Sequence, residues 1–251
     1  MSARGKWQGM ITVAQLNWPL YAAAFAVLLG SLGGLFLISM PELRLVCWLA
    51  LANAAYSLLG SLSVTHFIYD RSDLYRWNWL QRALSGADRR SIIFCHSGFD
   101  EASQSLREKL GNVRLQVLDH FDELQMTEAS IRRARRMFPP TSNTLPAPYN
   151  QWPVETGSAD VVFGVLAIHE LRSDAERSEW FLEAKRSLRK AGRIVLVEHI
   201  RDLANLLAFG PGFLHFHSWE SWRRSWQHAG FRCLDEFCIT PWVRVFVLVA
   251  S

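Results

Sequence analysis

The chain has 251 residues, a formal net charge of +4 and a pI near 9.0. A mild basic excess without any recognisable nucleic-acid module suits an anionic lipid surface and gives no reason to expect a nucleic-acid partner. Four scattered cysteines, Cys47, Cys95, Cys233 and Cys238, lack Cys-x-x-Cys spacing, which excludes a zinc ribbon and points to reduced thiols in a cytoplasmic setting.

No charged residue occurs from Trp7 to Pro41, and Trp18 to Met40 is long enough to cross a hydrocarbon core of about 30 Å. Leu45 to Tyr69 is a second such stretch, and the short link Pro41-Glu42-Leu43-Arg44 makes the pair a helical hairpin. The other reading is two buried helices of a soluble core, but a chain of this length could hardly bury them and a sheet as well. Gly30 and Gly34, and likewise Ser57 and Ser61, have the spacing that lets membrane helices approach closely, within the hairpin or in a homo-oligomer. Arg4 and Lys6 precede the first span; Arg71, Arg76, Arg82, Arg89 and Arg90 follow the second. The positive-inside rule therefore places both ends in the cytoplasm, with the chain an integral membrane protein. Tyr69, Tyr75, Trp77 and Trp79 alternate with these arginines, the pattern of a segment at the membrane–water boundary. The expected divisions are a transmembrane hairpin over 1–69, an interfacial linker over 70–90 and a second domain over 91–251.

That second domain alternates strand and helix patterns. Arg90 to Cys95 reads as a strand, Glu101 to Leu110 as a helix with Ala102, Leu106 and Leu110 on one side, and Val113 to Leu118 as a strand tipped by Asp119. Thr127 to Phe138 reads as a basic helix, whose Arg132, Arg133, Arg135 and Arg136 suit a solvated or lipid-facing surface. A proline-rich loop with room for one short strand follows. Asp160 to Leu166 and Arg193 to Val197 are apolar on both faces, as in strands buried within a parallel sheet. Each ends in polar residues at the end where open α/β sheets place their ligands: Ala167-Ile168-His169-Glu170 and Glu198-His199. Ser218 to Ala229 reads as a helix, Phe231 to Ile239 and Trp242 to Val249 as closing strands.

Three pieces carry a resemblance. Ser158-Ala159-Asp160-Val161-Val162-Phe163 with Ala167-Ile168-His169-Glu170-Leu171, Leu188 to Glu198, and His228-Ala229-Gly230-Phe231 resemble, in order and spacing, the later strands of class I S-adenosylmethionine-dependent methyltransferases. The resemblance implies an α/β, Rossmann-like, seven-stranded sheet with a closing antiparallel strand pair, behind two transmembrane helices. It also implies S-adenosyl-L-methionine as cofactor. The glycine-rich cofactor loop of that family is here Phe94-Cys95-His96-Ser97-Gly98-Phe99-Asp100, which keeps one glycine. His96, Gly98, Asp100, Asp119 and Ala167 are the residues so placed to meet the cofactor, Asp119 through the ribose hydroxyls.

Methyl transfer to an alcohol or phenol needs positioning and a base. His169, Glu198 and His199 at the strand tips are the catalytic candidates, because imidazole titrates near neutrality. Glu170, Phe213, His215 and His217 are the substrate-binding candidates, the last three in Phe209 to His217, where the family often has its substrate lid. A glycine-proline turn docked on the bilayer is the alternative for that segment. No metal is expected, since the histidines come from separate loops; His169, His199, His215 and His217 with Glu198 or Glu170 form the minor exception. The implied function is methylation of a lipophilic acceptor dissolved in the bilayer, with a catalytically silent relative acting in binding or assembly as the alternative.

Overall fold

The computed structural model describes residues 5–251. Arg4, one of the flanking basic residues, lies outside the described residues. A short helix, α1 (Gln8–Leu16), precedes the hairpin of α2 (Trp18–Leu37) and α3 (Pro41–His66). At 1.5 Å per residue these two long helices reach about 30 and 39 Å. Prolines at their first turns, Pro19 and Pro41, cost no hydrogen bond there. The Arg44 guanidinium donates to the carbonyls of Leu35 (2.7 Å) and Ile38 (3.2 Å), satisfying acceptors that the end of α2 leaves open. Gly34 sits at the contact between the helices, since a Cβ there would lie 2.8 Å from Cys47 Sγ, whereas Gly30 faces open space. Tyr21 and Ser61 join the helices by a 3.2 Å hydrogen bond between their hydroxyls.

α1 is pinned at both ends. A π-helical turn, Phe67–Arg71, extends α3, and its Asp70 carboxylate accepts from the N–H groups of Gly9 (2.7 Å) and Met10 (3.0 Å). At the other end the Leu16 carbonyl accepts from Arg133 Nε at 2.6 Å. Helix α1 therefore bridges the base of the hairpin and the globular part.

The sheet follows, with β1 (Ser91–His96), β2 (Arg114–Asp119), β3 (Thr144–Pro146), β4 (Ala159–Val165), β5 (Leu188–Glu198), β6 (Phe231–Thr240) and β7 (Val243–Ala250). Its spatial order is β3-β2-β1-β4-β5-β7-β6, parallel from β3 to β5, with β7 antiparallel to both β5 and β6. The short strand in the proline-rich loop is β3. Side chains alternate between two cores. Ile93, Val162, Ile194 and Phe246 face α6 (Ala129–Met137), α7 (Asp174–Ser187) and α9 (Trp219–His228). On the opposite side, Ile92, Phe94, Val161, Phe163, Val195 and Val245 face α5 (Ser103–Leu110) and the segment from Ile68 to Leu84, which contains α4 (Leu80–Ala83). α7 starts at a capping box in which Ser173 and Glu176 satisfy each other's backbone N–H groups.

This second core corrects one expectation. Trp77 and Trp79 do not lie at a membrane boundary: they are 2% and 8% exposed and packed over the sheet. An open sheet must cover both faces, and on this one the segment from Ile68 to Leu84 shares the task with α5. The Trp77 indole donates to Ser105 Oγ at 3.0 Å, tying the segment to α5. The basic helix also differs from its expected solvated surface, because Arg133 and Arg135 make directed contacts with Leu16 and Asp119. All four cysteines are free thiols.

Candidate active site

The polar residues at the strand tips form two groups. At β4 and β5 the Glu198 carboxylate is fully buried. Its Oε1 accepts from the N–H groups of Ala167 (3.2 Å), Ile168 (2.9 Å) and His169 (3.3 Å), and its Oε2 meets His169 Nδ1 at 2.7 Å. The backbone reaches this arrangement through Leu166, whose φ of 50° turns the chain sharply after β4. With Glu198 as acceptor, His169 carries its proton on Nδ1 and offers the Nε2 lone pair outward. That nitrogen lies 3.7 Å from Glu170 Oε1, and His215 Nε2 approaches the same oxygen at 3.6 Å. His215 Nδ1 is held at 3.0 Å by Glu128, at the start of α6. Burial disfavours the His215 imidazolium, but the Glu128 hydrogen bond and the neighbouring Glu170 carboxylate push it up to about 9. Arg172 binds the carbonyls of His169 (3.1 Å) and His215 (2.6 Å), locking the two histidine-bearing segments together.

Three expected roles do not join this group. His199 is buried with both nitrogens engaged, Nδ1 donating to the Trp242 carbonyl (2.8 Å) and Nε2 accepting from the Tyr69 hydroxyl (3.1 Å). Burial pushes it down to about 4, and with both nitrogens engaged it has no free lone pair to turn toward a substrate. His217 is likewise buried against the carbonyls of His169 and Leu171 and the Arg177 guanidinium, and burial with that charge pushes it down to about 3. Phe213 is half-exposed, and the ring that packs here is Phe216, stacked on His199 at 4.7 Å and edge-on to His169 at 6.2 Å. Glu128 and Arg172 were not singled out from the sequence, and Phe216 entered only as one of the three phenylalanines of the segment from Phe209 to His217.

At β1 and β2, Asp119 is the hub. Its Oδ1 accepts from Gly98 N–H (2.8 Å) and Phe121 N–H (3.1 Å), and its Oδ2 is bound by the Arg135 guanidinium. Gly98 has φ +88°, and a Cβ there would lie 2.6 Å from the Phe121 ring, so this glycine is required. Asp100 turns away to cap α5, accepting from the N–H groups of Ala102 and Ser103 and from the Ser103 hydroxyl. Ala167 contributes its buried N–H to Glu198 rather than an open surface.

Two features of this cradle suit the polar groups of S-adenosylmethionine, and Arg135 and Phe121 stand in the way. His96 is 2% exposed, and its two ring nitrogens and the Ser97 hydroxyl are buried without a hydrogen-bond partner among the described residues. Buried polar atoms of that kind are costly unless something bonds them. Asp119 has the carboxylate a ribose needs, but the bond from Arg135 must first open. Burial also keeps the His96 imidazole toward its neutral form.

A cleft of about 250 Å³ lies where α3 meets the domain, lined by Tyr56, Gly60, Val64, Leu207, Pro241 and Trp242 among others. Here α8 (Leu203–Phe209) docks on the hairpin, the Tyr56 hydroxyl donating to the Leu207 carbonyl at 2.7 Å. Leu203, Leu207 and Leu214 are exposed beside it.

No protein-family model and no curated protein sequence matches the chain. Solved structures match at the level of fold. A SAM-dependent methyltransferase from Aquifex aeolicus superposes with a TM-score of 0.51 at 13% identity, covering 71% of this chain and 92% of that one. The candidate methyltransferase of Haloferax volcanii in complex with the Trm112 methyltransferase activator gives 0.50 at 16%, covering 71% and 90%. LepI in complex with SAM gives 0.50 at 16%, covering 68% of this chain and 46% of its own. With the strand order and the antiparallel β7, these likenesses show that the chain has the class I methyltransferase fold.

Proposed function

We propose that this protein is a membrane-anchored methyltransferase that takes its methyl group from S-adenosylmethionine and delivers it to a lipophilic acceptor bearing a phenolic or quinone-type hydroxyl. The observation that carries this reading is the His169–Glu198 dyad at the strand tips, with an apolar cleft at the foot of a membrane-length helix on the far side of a row of packed rings. Trp242 lines the cleft and accepts from His199, His199 stacks on Phe216, and Phe216 reaches His169. The two long helices carry mean hydropathies of 2.0 and 1.6, with 11% and 6% of their apolar windows buried in the protein. Helices belonging to a soluble core would be mostly buried; these expose Phe25, Leu29, Phe36, Leu45, Trp48 and Leu59. Residues 1–69 serve as the anchor in this reading and 91–251 as the catalytic domain, on the cytoplasmic side, with 70–90 contributing to the core of that domain.

When bound, the cofactor supplies a sulfonium-activated methyl group. The chain's own residues do the rest. His96, Ser97 and the Gly98 turn hold the cofactor's polar groups, and Asp119 its ribose. His169 Nε2 meets the acceptor hydroxyl, and Glu198 keeps the imidazole in the tautomer that can draw off its proton. Phe216 and the exposed leucines of α8 give an apolar wall to a ring or chain arriving from the bilayer.

The test is labelled-methyl transfer by the full chain in phospholipid vesicles, to a long-chain alkylphenol and to a water-soluble phenol. Transfer favouring the alkylphenol and lost in His169→Ala supports the reading; transfer to neither refutes it. A second reading, a silent relative acting in binding or assembly, is favoured by the Arg135 and Phe121 side chains that fill the cofactor cradle. It predicts a folded protein that binds no S-adenosylhomocysteine.

A further inference from the structure

The geometry around Glu170 points to a divalent metal site: we propose that His169 Nε2, His215 Nε2 and a Glu170 carboxylate oxygen together bind one first-row cation, with Zn²⁺ as the best chemical match. The three ligand atoms lie within 4.8 Å of one another, and both imidazole nitrogens face the same oxygen at 3.7 and 3.6 Å. Those separations are too long for hydrogen bonds. They are close to the spacing of neighbouring ligands on one tetrahedral ion, about 3.3 Å for metal–nitrogen bonds of 2.0–2.1 Å.

The surroundings argue independently for the same assignment. A metal-binding histidine characteristically gives its other ring N–H to a carboxylate, which fixes the ring and raises its basicity. Both histidines do so here, His169 to Glu198 at 2.7 Å and His215 to Glu128 at 3.0 Å. The two Nε2 atoms are thereby turned inward as a pair. Three carboxylates, Glu128, Glu170 and Glu198, and one guanidinium, Arg172, surround the two imidazoles, so one divalent cation that displaces the His215 proton brings the cluster to neutrality. Arg172 also fixes the spacing of the ligands by binding the carbonyls of both histidine-bearing segments. The His169 and Glu170 side chains are 11% and 9% exposed, whereas His215 at 23% opens one side to solvent.

Two histidines and one carboxylate leave a coordination position free, the pattern of a catalytic rather than a purely structural site. On the methyltransferase reading above, on which this last step rests, that position receives the acceptor hydroxyl. A bound ion would lower the hydroxyl's pKa directly, the proton leaving to solvent on the side that His215 opens, and His169 would hold the ion instead of acting as a free base. Metal binding itself does not depend on that step.

The experiment is a Co²⁺ titration of the untagged, chelator-treated full chain in detergent, followed by visible absorption, with Zn²⁺ added last. One equivalent of Co²⁺ with ligand-field bands of a low-coordinate nitrogen–oxygen site, bleached by Zn²⁺, is the expected result. His215→Ala and Glu170→Gln should remove the bands, and the exposed His228→Ala should leave them intact. Glu128→Gln removes no ligand, so it keeps the test open if a ligand variant fails to fold; it should weaken Co²⁺ binding about 10–100-fold. Failure of folded wild-type protein to bind Co²⁺, or binding indifferent to His215→Ala and Glu128→Gln, overturns the site. Methyl transfer is measured separately. Co²⁺ binding without transfer upholds the metal site while refuting the methyltransferase reading, and transfer at full rate by metal-free protein that binds no Co²⁺ does the reverse.

Discussion

Arg135→Ala should tighten cofactor binding, which is the reverse of what removing a cationic side chain from a binding site usually does. Arg135 reaches from α6 to Asp119, whose side chain is 2% exposed while that of Arg135 is 26% exposed. Its guanidinium also covers the Phe121 ring, 4.9 Å from the centroid. A cofactor ribose needs the Asp119 oxygen that Arg135 holds, so binding must break a charge-assisted hydrogen bond worth about 1.5–3 kcal/mol net. The variant has no such bond to lose, and Asp119 keeps the N–H groups of Gly98 and Phe121. If half of that energy reappears as affinity, the gain is about 0.8–1.5 kcal/mol, or roughly four- to thirteenfold in Kd. Alanine is the better helix former, so α6 should survive the change. The assay is calorimetric titration of detergent-solubilised protein with S-adenosylhomocysteine, with Asp119→Ala as the companion that should abolish binding. Unchanged affinity would mean the ribose never contacts Asp119. Weaker binding would make Arg135 part of the cradle rather than its occupant.

Four further outcomes are expected. Glu198→Gln should lower methyl transfer about 10²–10⁴-fold, since the imidazole loses its orienting partner, while near-ultraviolet circular dichroism stays native; undiminished transfer would remove the dyad from the mechanism. Trp77→Ala should cost about 3–5 kcal/mol by urea titration, the range for a large core side chain, whereas a boundary residue would show almost none. Gly164→Ala places a Cβ 2.6 Å from Ile168 Cγ1 and 3.3 Å from Leu196 Cδ1, so it should destabilise the chain by about 1–3 kcal/mol and disturb the turn carrying His169. The fourth concerns pH. Burial pushes both His120 and His199 down to about 4, against an ordinary value of 6.5. Between those values the unfolded chain takes up protons that the native one refuses. The stability from the two neutral imidazoles is therefore full above pH 6.5 and is lost as pH falls toward 4, by up to about 3 kcal/mol each. Urea midpoints measured from pH 7.5 to 4.5 should fall accordingly, with a smaller slope in His120→Gln; a flat profile refutes the linkage.

The second half of the chain was legible because its signals are local. Residues 160–166 and 193–197 are apolar on both faces, and a run of that kind is stable only inside a parallel sheet with helices on both sides. Strand β4 covers the first run but for Leu166, β5 contains the second and starts five residues earlier, and the closing helix and antiparallel pair fall where expected. The two long apolar helices follow just as directly from runs without charge.

What the tertiary structure alone decided is who faces whom. Tryptophans interleaved with arginines look the same whether they meet lipid or a sheet, and only their packing over the sheet beside α5 assigned Trp77 and Trp79 to the core. Four histidines near two strand tips looked equivalent in the sequence. Packing separated them, burying the His199 nitrogens against the Trp242 carbonyl and the Tyr69 hydroxyl and His217 Nε2 against two backbone carbonyls, and turning the Nε2 atoms of His169 and His215 toward one carboxylate. Asp119 was identifiable as the acid at the tip of β2, but not that Arg135, sixteen residues on, would hold it. Periodicity and composition act over a few residues and so report secondary structure. Hydrogen-bond partners are chosen among groups tens to more than a hundred residues apart, and that choice exists only once the sheet has brought them together.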